Sequence, residues 1–141
     1  MPTVDSPALF GSAAEARKNF KPLLDAAEEG LPASIRRGKR RSAVVDADRL
    51  RHALASLRPA NAELDAEGDG WSIFLPGLPI AADGATLDEA LDEMVQALRE
   101  YAEDWSARLR HAPNHADNWA LVQIVALGTD AQVKDWLVGH R

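Results

Sequence analysis

Between Thr86 and Leu109 one apolar stripe runs unbroken through Leu87, Ala90, Leu91, Met94, Val95, Leu98, Tyr101, Ala102, Trp105 and Leu109. Spacing of three and four residues, sustained for about six turns, predicts a single long amphipathic helix. Thr86 and Glu89 stand in capping-box positions. Asp88, Glu89, Asp92 and Glu93 crowd the start and Arg108 and Arg110 the end, matching the helix dipole. Such a stripe has to be covered, so the chain around it must supply a sheet or further helices. Trp71 to Leu75 reads as a strand stopped by Pro76-Gly77-Leu78-Pro79, with a turn at Asp83-Gly84 before the helix. Beyond Pro113, the apolar run Trp119 to Leu127 fits helix or strand, and a last helix is expected over Asp130 to Leu137.

The first part of the chain carries weaker but consistent signals. Ser12 and Glu15 form another capping box, followed at helical spacing by Ala16, Phe20, Leu23, Leu24 and Ala27, with Gly30 as the stop. Pro22 interrupts this stripe, which continues on both sides of it, so the pattern predicts one kinked helix. Ala33 to Arg36 and Ser42 to Val45 read as two strands joined by a tight turn at Gly38, and Ala8 to Phe10 as a third. Asp46 or Asp48 caps a short helix with Leu50, Ala53, Leu54 and Leu57 on one face. Residues 59–69, rich in Ala, Glu, Asp and Gly, read as a linker, part of which can pair as an edge strand. The chain thus divides into residues 1–58, 59–69 and 70–141.

Charge follows the same division. Up to Arg58 there are 11 Lys/Arg against 7 Asp/Glu; from Pro59 onward there are 5 against 15. Arg36, Arg37, Lys39, Arg40 and Arg41 fall within six positions. A basic portion joined to an acidic one points to two kinds of partner, a polyanion such as nucleic acid and a protein. The basic portion is too short to bury much surface alone, so it is expected to dimerise. No apolar run reaches the roughly 20 residues needed to span a bilayer, and nothing reads as a signal peptide. With no cysteine, disulfides and thiolate metal sites are excluded. A cytoplasmic location is expected.

The run Phe10-Gly11-Ser12-Ala13-Ala14-Glu15-Ala16-Arg17-Lys18-Asn19-Phe20 with Leu23-Leu24 resembles the start of Phd/YefM-type antitoxins. The Ile35-Arg36-Arg37-Gly38-Lys39 turn and Val44-Val45 leading to Asp48-Arg49-Leu50 continue the likeness over most of residues 8–57. Gly70 to Pro79, then Asp83-Gly84-Ala85-Thr86-Leu87-Asp88-Glu89-Ala90, looks like a HicB-type antitoxin domain. Gly77 stands where that pattern commonly has an acidic residue, and Ile80-Ala81 replaces its Gly-Cys. The resemblances imply an α+β protein: a small dimeric Phd/YefM-like α/β module, then a HicB-like, truncated RNase H-like α/β domain with one long helix. They also imply a type II antitoxin that binds its own operator as a homodimer or higher oligomer and blocks a cognate toxin, expected to be a ribonuclease. By position Arg17 and Arg36 are the DNA contacts, with Lys18, Asn19 and Arg37 beside them.

The residues themselves point the same way. A solvated hairpin tip would explain a lone charge run, but this one lies beside a helix carrying Arg17, Lys18 and Lys21 in a net-negative protein. DNA binding is therefore assigned to Arg17, Lys18, Asn19, Arg36, Arg37, Lys39, Arg40 and Arg41. Trp119 and Trp136 are the candidate toxin anchors, since tryptophan is enriched in interface hot spots, whereas Trp105 continues the buried stripe. His111, His115 and Asp117 have metal-ligand character, but Pro113 interrupts the helix they need and no fourth ligand is evident, so a polar loop is expected. Glu100, Glu103 and Asp104 share one helix, whereas acid–base work needs carboxylates converging from facing elements. No catalytic residue, metal or cofactor is expected. The alternative function is a stand-alone DNA-binding regulator with an acidic sensing or oligomerisation domain. A third, a hydrolase built on His111 to Asp117, is less favoured.

Overall fold

A computed structural model describes residues 6–139. The chain divides into two compact units, residues 1–50 and 51–141. Together the described residues form two three-stranded sheets and six α-helices.

In the first unit, β1 (Ala8–Phe10) lies parallel to β2 (Ala33–Arg37), which pairs antiparallel with β3 (Arg40–Ala43). A two-residue loop joins β2 to β3. Its positive φ falls on Gly38 and not on Lys39, which fits the type II′ hairpin turn. Two helices, α1 (Ala13–Lys18) and α2 (Phe20–Glu28), pack on β2. They are separate helices, where the sequence predicts a single kinked one. Pro22 has no N–H to offer the carbonyl of Lys18, and its ring crowds that same carbonyl. The helix therefore stops at Lys18, and Asn19 caps it through its backbone and side-chain N–H groups, both bonded to the Glu15 carbonyl. Restarting at Phe20 puts Pro22 in the first turn of α2, where a missing N–H costs nothing. Replacing Pro22 by Ala should accordingly change stability by less than about 1 kcal/mol, mainly through a freer unfolded chain. A gain near 3 kcal/mol in urea unfolding would mean that the proline strains a helix interior. α2 ends in a Schellman motif, Leu31 N–H to Ala26 and Gly30 N–H to Ala27, with Gly30 at φ +79. The core is small: Ala8, Leu23, Ala26, Ala27 and Ala33, backed by Phe10, Leu31, Ile35 and Val44.

α3 (Ala47–Leu57) begins in the first unit, with the Asp46 carboxylate accepting from the Arg49 N–H, and ends in the second. Its covered side is Leu54 and Ala55; Leu57, expected on that side, is 81 % exposed at the last residue of the helix. The second unit is built on β4 (Glu63–Glu67), β5 (Gly70–Phe74) and β6 (Ala81–Gly84), antiparallel in that order. β4 lies inside residues 59–69. Asp83 and Gly84, read from the sequence as a turn, close β6 instead: the Pro76–Pro79 loop returns the chain so that Phe74 meets Ala81 and Trp71 meets Gly84. α4 (Leu87–Ala107) covers one face of this sheet, capped by Thr86 as the sequence predicts. Every interior residue of its stripe from Ala90 to Trp105 is buried. α5 (Trp119–Leu127) resolves the helix-or-strand ambiguity, and α6 (Asp130–Leu137) starts with a capping box at Thr129 and Gln132. Both pack on α4, giving one core that runs from Ile73 through Met94 and Leu98 to Ile124, Val133 and Trp136.

Candidate nucleic-acid interface and partner surface

The hairpin of the first unit sets four arginines against each other. Arg36 lies opposite Arg41 and Arg37 opposite Arg40, with Lys39 in the loop between them. Opposed residues in an antiparallel pair share a face, so each face of the ribbon carries an Arg–Arg pair. All five cations are exposed, and among the described residues none has an acidic partner. Like charges directly opposed destabilise a ribbon, and an anion laid across them relieves that repulsion. Arg17 and Lys18 are exposed in the last turn of α1. Asn19 is half-buried and spends one side-chain N–H on the Glu15 carbonyl, which leaves its second N–H and its amide oxygen for any other contact. Lys21 is tied to Asp25 at 2.7 Å, a hydrogen bond and charge that hold its ammonium above the ordinary lysine range.

In the second unit the tryptophans part ways. Trp119 is 48 % exposed at the start of α5. Trp136 is 3 % exposed, and its indole N–H donates to the Arg58 carbonyl at 2.9 Å. The expectation of an anchor at Trp136 is therefore corrected to a core residue: α6 turns it inward, and the apolar interior covers it.

The segment with His111, His115 and Asp117 is a stitched loop. Trp105 donates its indole N–H to the His115 carbonyl at 2.8 Å, and Tyr101 Oη lies 2.8 Å from His115 Nδ1. Asn118 Nδ2 donates to Tyr101 Oη at 2.9 Å, which frees the phenol proton for His115. Arg58 closes the network on Asn118 Oδ1 at 2.8 Å and the Asp117 carbonyl at 3.3 Å. His111 and the Asp117 carboxylate stay outside it. Among the described residues no group of three or more His, Cys, Asp or Glu is placed to hold a metal ion. Arg58 and Tyr101 were not singled out for this role from the sequence; the only trace of it is polar residues surrounding an otherwise apolar stretch.

The acidic residues gather on α4 beside β6. An open groove of about 640 Å³ there is lined by Asp83, Glu89, Asp92, Glu93 and Glu100. Lys134 on α6 pairs with Asp92 and, at 3.4 Å, with Asp88. The Asp92 hydrogen bond, opposed by partial burial and helped by Asp88, holds the lysine above its ordinary range. Its contribution to stability is thus present below about pH 10.4 and fades as the lysine deprotonates.

The PHD-like family described as "Antitoxin of toxin-antitoxin, RelE / RelB, TA system" matches residues 10–138. The chain belongs to this antitoxin family. The match runs from β1 to α6, through both units of the antitoxin. No curated protein matches it. A crystal structure from Syntrophomonas wolfei subsp. wolfei, described as the antitoxin part of a toxin/antitoxin system, superposes with a TM-score of 0.74. It is 22 % identical and aligns over 90 % of this chain and 94 % of that one. At that identity the likeness concerns the fold. Among the described residues of the antitoxin, no helix is long and apolar enough to cross a membrane.

Proposed function

We propose that this antitoxin neutralises a cognate toxin by direct binding and represses its own operon by binding operator DNA. Residues 1–58, Phd/YefM-like, are the DNA-binding and dimerising part; residues 70–141, HicB-like, hold the toxin, and residues 59–69 lead from one to the other with β4 already paired in the sheet of the second unit. The observation that carries the DNA reading is the β2–β3 ribbon, whose opposed arginines lack acidic partners among the described residues. Phosphates laid along it gain several charge-assisted contacts and release counterions, while Arg17, Asn19 and Arg36 are the side chains assigned to base edges. Dimerisation is supported by apolar side chains left on the surface of the first unit: Leu9 (62 % exposed), Phe20, Leu24 and Val45. A small core with so much apolar surface is stabilised by burying it against a second copy. A twofold dimer presents two ribbons to an inverted repeat.

The toxin side rests on family membership, on the acidic surface of the second unit and on Trp119 as the exposed anchor. A basic ribonuclease is the partner that surface would attract fastest. Inhibition is by covering the toxin, in the cytoplasm, without catalysis or cofactor. Co-expression with the protein encoded by the neighbouring reading frame tests this: survival of the host is expected, and persistent toxicity would end the neutralising role.

Arg17→Ala and Arg36→Ala should each weaken operator binding. Each should also lower the slope of log affinity against log salt by about one for every phosphate left without its cation. Fluorescence anisotropy over a salt series reads both quantities, and unchanged slopes would remove these side chains from the interface.

A further inference from the structure

β6 is the outer strand of its sheet, and among the described residues one side of its backbone faces no other strand. The Ile80 carbonyl accepts from the Leu75 N–H at 3.3 Å, which continues the β5–β6 register by one pair. Backbone groups alternate sides along an antiparallel strand, so Ala82 and Gly84 turn theirs to β5 while Ala81 and Asp83 turn theirs outward. Both outward residues are exposed. An edge of this kind is a template for another strand.

Acidic walls flank this edge on either side. On the helix side lie Glu93 and Glu100 of α4, in the groove that all four residues of β6 help to line. On the opposite face Asp83 borders a second hollow, of about 380 Å³, with Glu67 and Ser72. Across that face Asp83 lies in line with Ser72 and then Asp65. Asp92 is matched by Lys134, and Glu89 accepts from the Ala85 N–H; among the described residues Asp83, Glu93 and Glu100 have no cationic partner. Neither hollow is lined by any Lys or Arg.

The geometry points to an extended, Arg- or Lys-rich segment of the cognate toxin pairing with β6 as a fourth strand. This rests on the reading that the second unit holds the toxin. Backbone bonds to Ala81 and Asp83 fix the segment in register. Its successive side chains alternate between the α4 carboxylates and the Asp83 face, so cations at neighbouring positions all meet negative charge. A second copy pairing β6 to β6 would instead crowd Asp83, Glu93 and Glu100 against their own duplicates, which like-charge repulsion opposes.

The test uses the full antitoxin and a tagged hexapeptide of four consecutive arginines flanked by valines, which presents cations to both faces, with its fully N-methylated counterpart. The counterpart keeps every charge and loses every backbone donor. At about 0.05 M salt, where exposed charges are weakly screened, the plain peptide should bind at least tenfold tighter than the methylated one. The Ala81 and Asp83 amides should gain protection from hydrogen exchange. The double variant Glu93→Lys/Glu100→Lys should lose at least tenfold in affinity, and Asp83→Lys carries the test if that double variant does not fold. Equal affinity for the two peptides would reduce the site to charge attraction and overturn strand addition, as would no binding at all. Self-association of the antitoxin that the same reversals abolish, without peptide binding, would give the edge to a second copy. Co-expression separates this proposal from its parent. If the wild type neutralises the toxin and the charge-reversed variants do so equally well, the β6 site falls while the antitoxin reading stands. If the wild type itself fails, the parent reading falls.

Discussion

Trp136→Ala should cost the second unit about 3–5 kcal/mol, the range for removing a large buried aromatic side chain. Trp136 is 3 % exposed, joins the core shared by α4, α5 and α6, and gives its indole N–H to the Arg58 carbonyl. Truncation leaves a cavity and also strips that half-buried carbonyl of its donor. Against a total stability of roughly 5–15 kcal/mol, the loss is a large fraction. With a urea slope near 2 kcal/mol/M, the midpoint should fall by roughly 2 M. Trp136→Phe separates the two contributions. It keeps most of the packing and loses the hydrogen bond, for about 1–2 kcal/mol. The opposite result is equally clear: a variant that unfolds like the wild type yet no longer holds the toxin would make Trp136 a surface anchor after all.

A methyl group at residue 84 is the second severe change. A Cβ built on Gly84 lies 2.3 Å from the Ala90 nitrogen and 2.8 Å from the Glu89 carbonyl carbon, all backbone of the first turns of α4. No flexible side chain is there to swing away, so β6 and α4 must separate and the buried packing of Ala82 and Ala90 loosens with them. Gly84→Ala is expected to cost about 3 kcal/mol, the upper end for overpacking a close contact. Gly11→Ala serves as the control, because its added carbon meets only the tip of the Glu15 side chain at 3.8 Å. Urea unfolding of the two variants should differ by most of that amount. A loss under 1 kcal/mol for Gly84→Ala would show that the strand and helix give way easily there.

Much of the architecture was legible because its causes are local. The α4 stripe, the Thr86 cap, the Gly30 stop and the Gly38 hairpin each depend on residues within a few positions of one another. Pro22 was legible as a disturbance but not in its outcome. Whether a proline bends a helix or splits it depends on whether a side chain such as Asn19 is there to cap the broken end. β6 was misread because Ala-Ala-Asp-Gly has little strand preference of its own; pairing with β5 makes it a strand. The candidate DNA site was visible as a count of cations, though not as arginines facing each other across a ribbon.

By itself the sequence determined α3, α4 and α6, the Gly38 hairpin turn and the opposite charge of the two portions, since periodicity, caps and net charge are properties of neighbouring residues. Tertiary structure alone decided that Trp119 stands at the surface while Trp136 is buried, that Arg58, Tyr101, His115 and Asn118 meet, and that β6 keeps a bare edge between carboxylates. Those outcomes depend on which distant segments cover a residue. Two tryptophans with similar neighbours in the chain can end on opposite sides of that covering.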